Sequence, residues 1–309
     1  MDALTGIIWV IIAAFLFGSQ FVPAKFCPRF KSSSYNLSMA YGILAGSIGA
    51  FFILGIGGIT RDLILISMVG GAVWVTGNYL LIIGVAKAGM ARAFCIVNFS
   101  AIISFFAGGV FLGELTDVTP TRIAIMLGAV TLVIVGSLLV TTTTPSKSGK
   151  GSDRSEMMRG MLLSFIATTF FSIYNVIIAY VVNKAGTDPG PTFLALAPGI
   201  VIGALIIAAV SKEKGIRSWR AAPSKWHLLA IVQGFIWAAA MVCIMFGWQG
   251  VGIAIGTPVQ VGTQTIISSI WGILMFHEFR GLRDKSKAYG RYLAGAILTI
   301  MGIATIAIA

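Results

Sequence analysis

In a chain of 309 residues, 57% are hydrophobic and 10% charged, with a mean hydropathy of +0.95, which excludes an ordinary soluble domain. The net charge of +12 does not point to nucleic acid, because the basic residues lie in short gaps between apolar runs rather than in one patch. Three cysteines, Cys27, Cys95 and Cys243, give neither a disulfide framework nor a metal spacing.

A bilayer-spanning helix needs about 20 apolar residues. Ten runs qualify: 4–24, 36–58, 63–86, 91–113, 121–141, 158–182, 191–211, 226–248, 252–276 and 290–308. The first follows Asp2 without a basic n-region or a small-residue cleavage site, so it is expected to span the membrane rather than to be removed as a signal. The one long gap, 142–157, is Gly/Ser-rich, polar and charged, and it divides the helices five and five. The predicted fold is therefore an all-α polytopic membrane protein of ten transmembrane helices, with units 1–141 and 158–309 joined by the linker 142–157.

Charge sets the expected topology. Nineteen Lys and Arg fall in the gaps after odd-numbered runs, and three, Arg61, Arg122 and Lys184, on the other side. By the positive-inside rule the linker is cytoplasmic and both termini are extracytoplasmic, as expected for a multi-pass protein of the plasma membrane.

The halves resemble each other. A shift of 163 residues lays Gly71-Ala-Val-Trp74 on Gly234-Phe-Ile-Trp237, Gly84 on Gly247, Gly89 on Gly252, Ala91 on Ala254 and Gly109 on Gly272, and one residue of slip brings Glu114 to Glu278. A shift of 154 lays Gly6, Ala13 and Phe17 on Gly160, Ala167 and Phe171. Two copies of an odd number of helices must be inverted, a plan in which a binding site sits near the midplane between repeats.

Polar residues inside the runs mark the candidate site. On the ninth run Thr257, Gln260, Gln264, Ser268 and Trp271 recur at helical spacing, a stripe that lipid would not accept, beside Pro258, Gly256 and Gly262. Trp74 and Asn78 stand four apart, as do Gln233 and Trp237; Gln20, Asn98, Tyr174 and Asn175 complete the candidate set. Amides, hydroxyls and indoles suit a neutral polyol, whose hydroxyls exchange hydrogen bonds with amides while a ring packs on its C–H face. Ser100, Ser104 and Ser268 read instead as helix packing, and Asn98 and Asn175 equally as bonds between helices.

Catalysis is not expected. His227 and His277 lie near predicted helix ends, no nucleophile–base grouping appears, no phosphate-binding glycine loop is present, and His277 with Glu278 lacks a third metal ligand. No Asp or Glu lies centrally in any run, so the carboxylate by which a proton is exchanged against a cationic drug is missing. No cofactor is implied.

Gly-Ala-Val-Trp74, Phe-Leu-Gly-Glu114, Gly-Phe-Ile-Trp237 and Gly-Ile-Leu-Met-Phe-His-Glu278, in two five-helix halves, resemble the drug/metabolite transporter superfamily. With Phe-Gly-Ser-Gln-Phe-Val-Pro23 in the first helix, the chain is most similar to its glucose/ribose porters. The resemblance implies a central cavity lined by the first, third, fourth, sixth, eighth and ninth helices, alternating access, and uptake of a monosaccharide, with proton coupling and a homodimer left open. The other reading is export of amino acids or amphipathic amines. Val97, Ala101 and Phe105, which match the polar stripe in the first half, are apolar, so a lopsided cavity is expected.

Overall fold

The computed structural model describes all residues except 1, 28, 56, 89–92, 94–95, 143–153, 276–283 and 309. Most of the linker, the start of the fourth run, Cys95, His277, Glu278 and the matches at Gly89 and Ala91 therefore lie outside the described residues.

The described secondary structure is helical throughout: α1 Ala3–Ser19, α2 Ser32–Leu54, α3 Arg61–Ala88, α4 Ser100–Phe111, α5 Pro120–Thr142, α6 Arg154–Ala179, α7 Pro189–Val210, α8 Gly215–Ala221, α9 Ser224–Leu274 and α10 Lys285–Ile308. Among the described residues, eight segments are long and apolar enough to cross a bilayer, and α4 is a shorter apolar helix.

Three boundaries differ from the sequence reading. α1 stops at Ser19 and resumes as a 3₁₀ turn at Pro23–Phe26, because proline cannot continue the hydrogen-bond ladder. The runs 226–248 and 252–276 join into α9, whose two arms meet at Gly252, with φ 73° and ψ 171°. Pro258, expected to loosen this helix, lies within its second arm; the break is at Gly252, where a left-handed φ favours glycine. In the loop after α7, the short α8 turns where only a gap was expected.

Carboxylates cap the starts of α1 and α2. Asp2 accepts from the Thr5 N–H at 2.9 Å and its hydroxyl at 2.8 Å, and these bonds hold its carboxyl below the usual range. Glu213 reaches across to cap α2, accepting from the Ser33 N–H at 3.0 Å.

The helices pack in a small set of pairs: α1 against α9, α3 against α6 and α7, α2 against α7 and α9, and α5 against α10. Large apolar side chains such as Phe15, Phe52, Phe111, Phe165 and Ile206 face outward, as suits a surface solvated by lipid. Without water to drive helices together, contact in a bilayer relies on close van der Waals approach, and glycine permits it at several crossings, most tightly at two. A Cβ on Gly199 would lie 1.9 Å from the Met68 carbonyl oxygen, and one on Gly71 2.3 Å from that of Leu196, where α3 crosses α7. A Cβ on Gly42 would lie 2.2 Å from the Ile231 carbonyl oxygen, and one on Gly234 2.3 Å from that of Met39, where α2 crosses α9.

Candidate functional site

The packing leaves a cavity of about 110 Å³ between α1, α3, α4, α6 and both arms of α9. Of the residues selected from sequence, Gln20, Trp74, Asn78, Tyr174, Asn175, Trp237, Gln260 and Gln264 line it. They arrive from three helices, α3, α6 and α9, and from the turn after α1, whose break brings Gln20 to the wall.

Trp74 and Trp237, at equivalent positions in α3 and α9, stack with ring centroids 4.2 Å apart at 43°. Phe17, Phe193 and Tyr174 flank the pair. Burial of both indoles makes this aromatic block a rigid surface, suited to the C–H face of a ring. On the second arm of α9, Gln260 Nε2 donates to Gln264 Oε1, so the four-residue spacing joins two amides into one polar surface. Asn78 Nδ2 donates to Asn36 Oδ1 at 2.7 Å, Asn175 Nδ2 reaches Ser104 Oγ at 3.5 Å, and the Tyr174 hydroxyl points to Met241 Sδ at 2.8 Å.

Asn98, Gln233 and Thr257 are not among the lining residues. Gln233 accepts from the Tyr35 hydroxyl and its Nε2 faces Met39 Sδ at 3.5 Å, which ties α9 to α2. Asn98 Oδ1 accepts from the Thr265 hydroxyl at 3.4 Å, and Thr257 is buried away from the cavity. Ser268 bonds the Thr265 carbonyl, and Trp271 Nε1 donates to Ser19 Oγ at 2.9 Å, so this end of the stripe fastens α9 to α1.

Sequence reasoning missed three contributors. Trp248 lines the cavity, although it falls at the end of a predicted run, where an indole reads as an interfacial anchor. Asn36 is buried inside α2 and orients Asn78; its place at the start of a run made it look like a helix end. Ser100, assigned to packing, is on the wall. Among the described residues, no lining residue is an Asp, Glu, Lys, Arg or His.

One carboxylate does approach the bend of α9. α4 ends at a left-handed glycine: Gly113 has φ 72°, and the Glu114 N–H reaches back six residues to the Gly108 carbonyl at 3.1 Å. The motif Phe-Leu-Gly-Glu114 thereby delivers a carboxylate to the start of the second arm. There Glu114 accepts from the N–H groups of Ile253 and Ala254 at 3.0 and 2.9 Å, as an anion at a helix N-terminus should. Asn183, in the π-helical turn Tyr180–Lys184 that ends α6, donates to Glu114 Oε1 at 3.4 Å and to the Trp248 carbonyl at 3.0 Å. A Cβ at Gly252 would sit 2.6 Å from the Glu114 carboxyl carbon. Gly252→Ala is therefore expected to destabilise the fold by about 1–3 kcal/mol, from strain plus collision, seen as a lower unfolding temperature in detergent.

Comparison with known proteins adds the following. A family model described as "Sugar transport protein" matches residues 118–309. The Listeria monocytogenes protein named "Putative sugar uptake protein lmo0169" is 26% identical over 280 residues, 90% of this chain and 90% of that protein. The Bacillus subtilis "Glucose uptake protein GlcU" is 24% identical over 275 residues, 88% of this chain and 89% of that protein. A solved crystal structure whose description states no function is alike with a TM-score of 0.70 at 12% identity, over 99% of this chain and 98% of that chain, a likeness of fold.

Proposed function

The chain belongs to the sugar transport protein family, and from that premise we propose that it is a permease carrying a monosaccharide such as glucose or ribose across the plasma membrane by alternating access. The observation that carries the reading is the cavity wall: amides from α3, α6, α9 and the turn after α1 surround two indoles in contact, and no described wall residue is charged. A neutral polyol satisfies such amides, whereas an ionic solute would enter a low-dielectric site without a counter-charge.

In this reading the two arms of α9 and the short α4 are separate crossings, which makes ten. The units 1–141 and 158–309 are inverted copies around the cytoplasmic linker 142–157, and both termini are extracytoplasmic. The glycine contacts support it. A shift of 163 residues takes Met68 and Gly71 to Ile231 and Gly234, and a shift of 157 takes Met39 and Gly42 to Leu196 and Gly199. Those shifts exchange one close crossing for the other, atom type for atom type. Such a relation is what a two-fold axis between repeats produces, and the Trp74–Trp237 stack lies where equivalent residues meet.

The test is uptake of labelled glucose, ribose and related sugars into proteoliposomes. Saturable uptake is expected, lowered roughly tenfold or more by Gln260→Ala, since removing one amide leaves Gln264 and the sugar hydroxyl underbonded. Val97→Ala, on the apolar wall, changes it far less. With no carboxylate among the described lining residues, collapsing a pH gradient is expected to leave the rate unchanged. Absence of saturable uptake across the panel sinks the reading.

A further inference from the structure

Most polar side chains described around the cavity have a partner inside the protein. Gln260 donates to Gln264, Asn78 to Asn36 and Asn175 to Ser104, and Tyr174 faces Met241. Among the described residues, two buried polar atoms on the wall have none: Gln20 Oε1 and Trp248 Nε1. Both side chains are enclosed, Gln20 at 5% and Trp248 at 2% exposure. An unpaired buried polar group is unfavourable, so each keeps in reserve a hydrogen bond that a ligand can complete.

Resting on the sugar-permease reading, we infer that Trp248 and Gln20 are the specificity residues that read the substrate's hydroxyls. The indole N–H donates to one hydroxyl oxygen, and the Gln20 carbonyl accepts a hydroxyl proton. The indole is held for this task. Its ring edge lies against Gly256, where a Cβ would come within 2.8 Å of Cδ1 and 3.3 Å of Nε1. Its backbone is fixed through the carbonyl bonded by Asn183. The pairing also selects by class. A carboxylate would satisfy the indole but face the Gln20 carbonyl oxygen, an ammonium would do the reverse, and a polyol presents donor and acceptor in one neutral group.

The test is competition of labelled sugar uptake by mono-deoxy and mono-fluoro analogues in proteoliposomes. In the wild type, removing the hydroxyl read by Trp248 weakens competition on the order of tenfold to a hundredfold, the range expected when a buried donor is left unpaired. Fluorine, which accepts but does not donate, recovers part of the loss there and none at the hydroxyl read by Gln20. Trp248→Phe weakens the parent sugar and abolishes the deoxy penalty at its own position, leaving the others; Gln20→Met does the same at a different position. Equal weakening of every analogue by both variants means that the residues serve only packing, and the inference falls. If Trp248→Phe does not fold, the Gln20→Met arm decides. Uptake without any deoxy discrimination overturns the inference alone, whereas a wild type that moves no sugar overturns the permease reading beneath it.

Discussion

Gly199→Ala is expected to lower stability by about 1–3 kcal/mol, the usual cost of overpacking, and to reduce the yield of folded protein. A methyl group there would stand 1.9 Å from the Met68 carbonyl oxygen. That neighbour is backbone within α3 and cannot rotate aside, so α3 and α7 must separate along their crossing. Gly42→Ala repeats the effect at the crossing of α2 and α9, where the distance would be 2.2 Å. The control lies two turns along the same helix: Gly49 has nothing within 4 Å of a Cβ. Gly49→Ala is thus expected to be neutral or slightly stabilising, because alanine loses less freedom in a helix. Gly71→Ala added to Gly199→Ala costs less than it does alone, since both act on one interface that the first has already opened. Unfolding midpoints in detergent read all of these; equal behaviour of Gly42→Ala and Gly49→Ala refutes the close-approach account.

Hydropathy and charge placement carried the class, and helical spacing picked out Trp74, Asn78, Trp237, Gln260 and Gln264 on the cavity wall. The physical reason is that a lipid-facing helix cannot tolerate a polar stripe, so Gln260 and Gln264 announce an interior face before any fold is known. What could not be read is which polar side chains already have partners. Gln233 is chemically the same as Gln260, yet it is satisfied by Tyr35, 198 residues away. Asn36 resembled a helix end, and its role toward Asn78 depends on a contact 42 residues along the chain. Trp248 was hidden for a related reason. The run 224–274 has no charge after Lys225 to mark its bend, and Gly252 is one glycine among 37, so the indole beside it looked like a boundary residue. Glu114 ended an apolar run and read as a stop; only the left-handed turn at Gly113 shows where its carboxylate is aimed.

Glu114→Ala is expected to open the end of the bundle at which α4, α6 and the bend of α9 meet. In the wild type one carboxylate joins these three elements, through Ile253, Ala254 and Asn183. Loss of a helix cap costs about 1–2 kcal/mol, which changes a two-state ratio roughly 5- to 30-fold. On the alternating-access reading, the lost contacts stabilise the state closed at this end, so the population moves toward the open one. A cysteine placed at Val251, after replacement of Cys27, Cys95 and Cys243, should then react faster with an impermeant maleimide by a similar factor. Glu114→Gln keeps one accepting oxygen and falls between. Unchanged labelling with a lowered unfolding temperature would make Glu114 a structural cap and nothing more. The latch also meets the cavity, because Asn183 bonds both Glu114 and the carbonyl of Trp248. A sugar that engages the Trp248 indole steadies the residue to which the latch is tied. Saturating sugar should therefore slow labelling of the wild type and lose that effect in Asn183→Ala, where the bridge is gone but Glu114 still caps the helix.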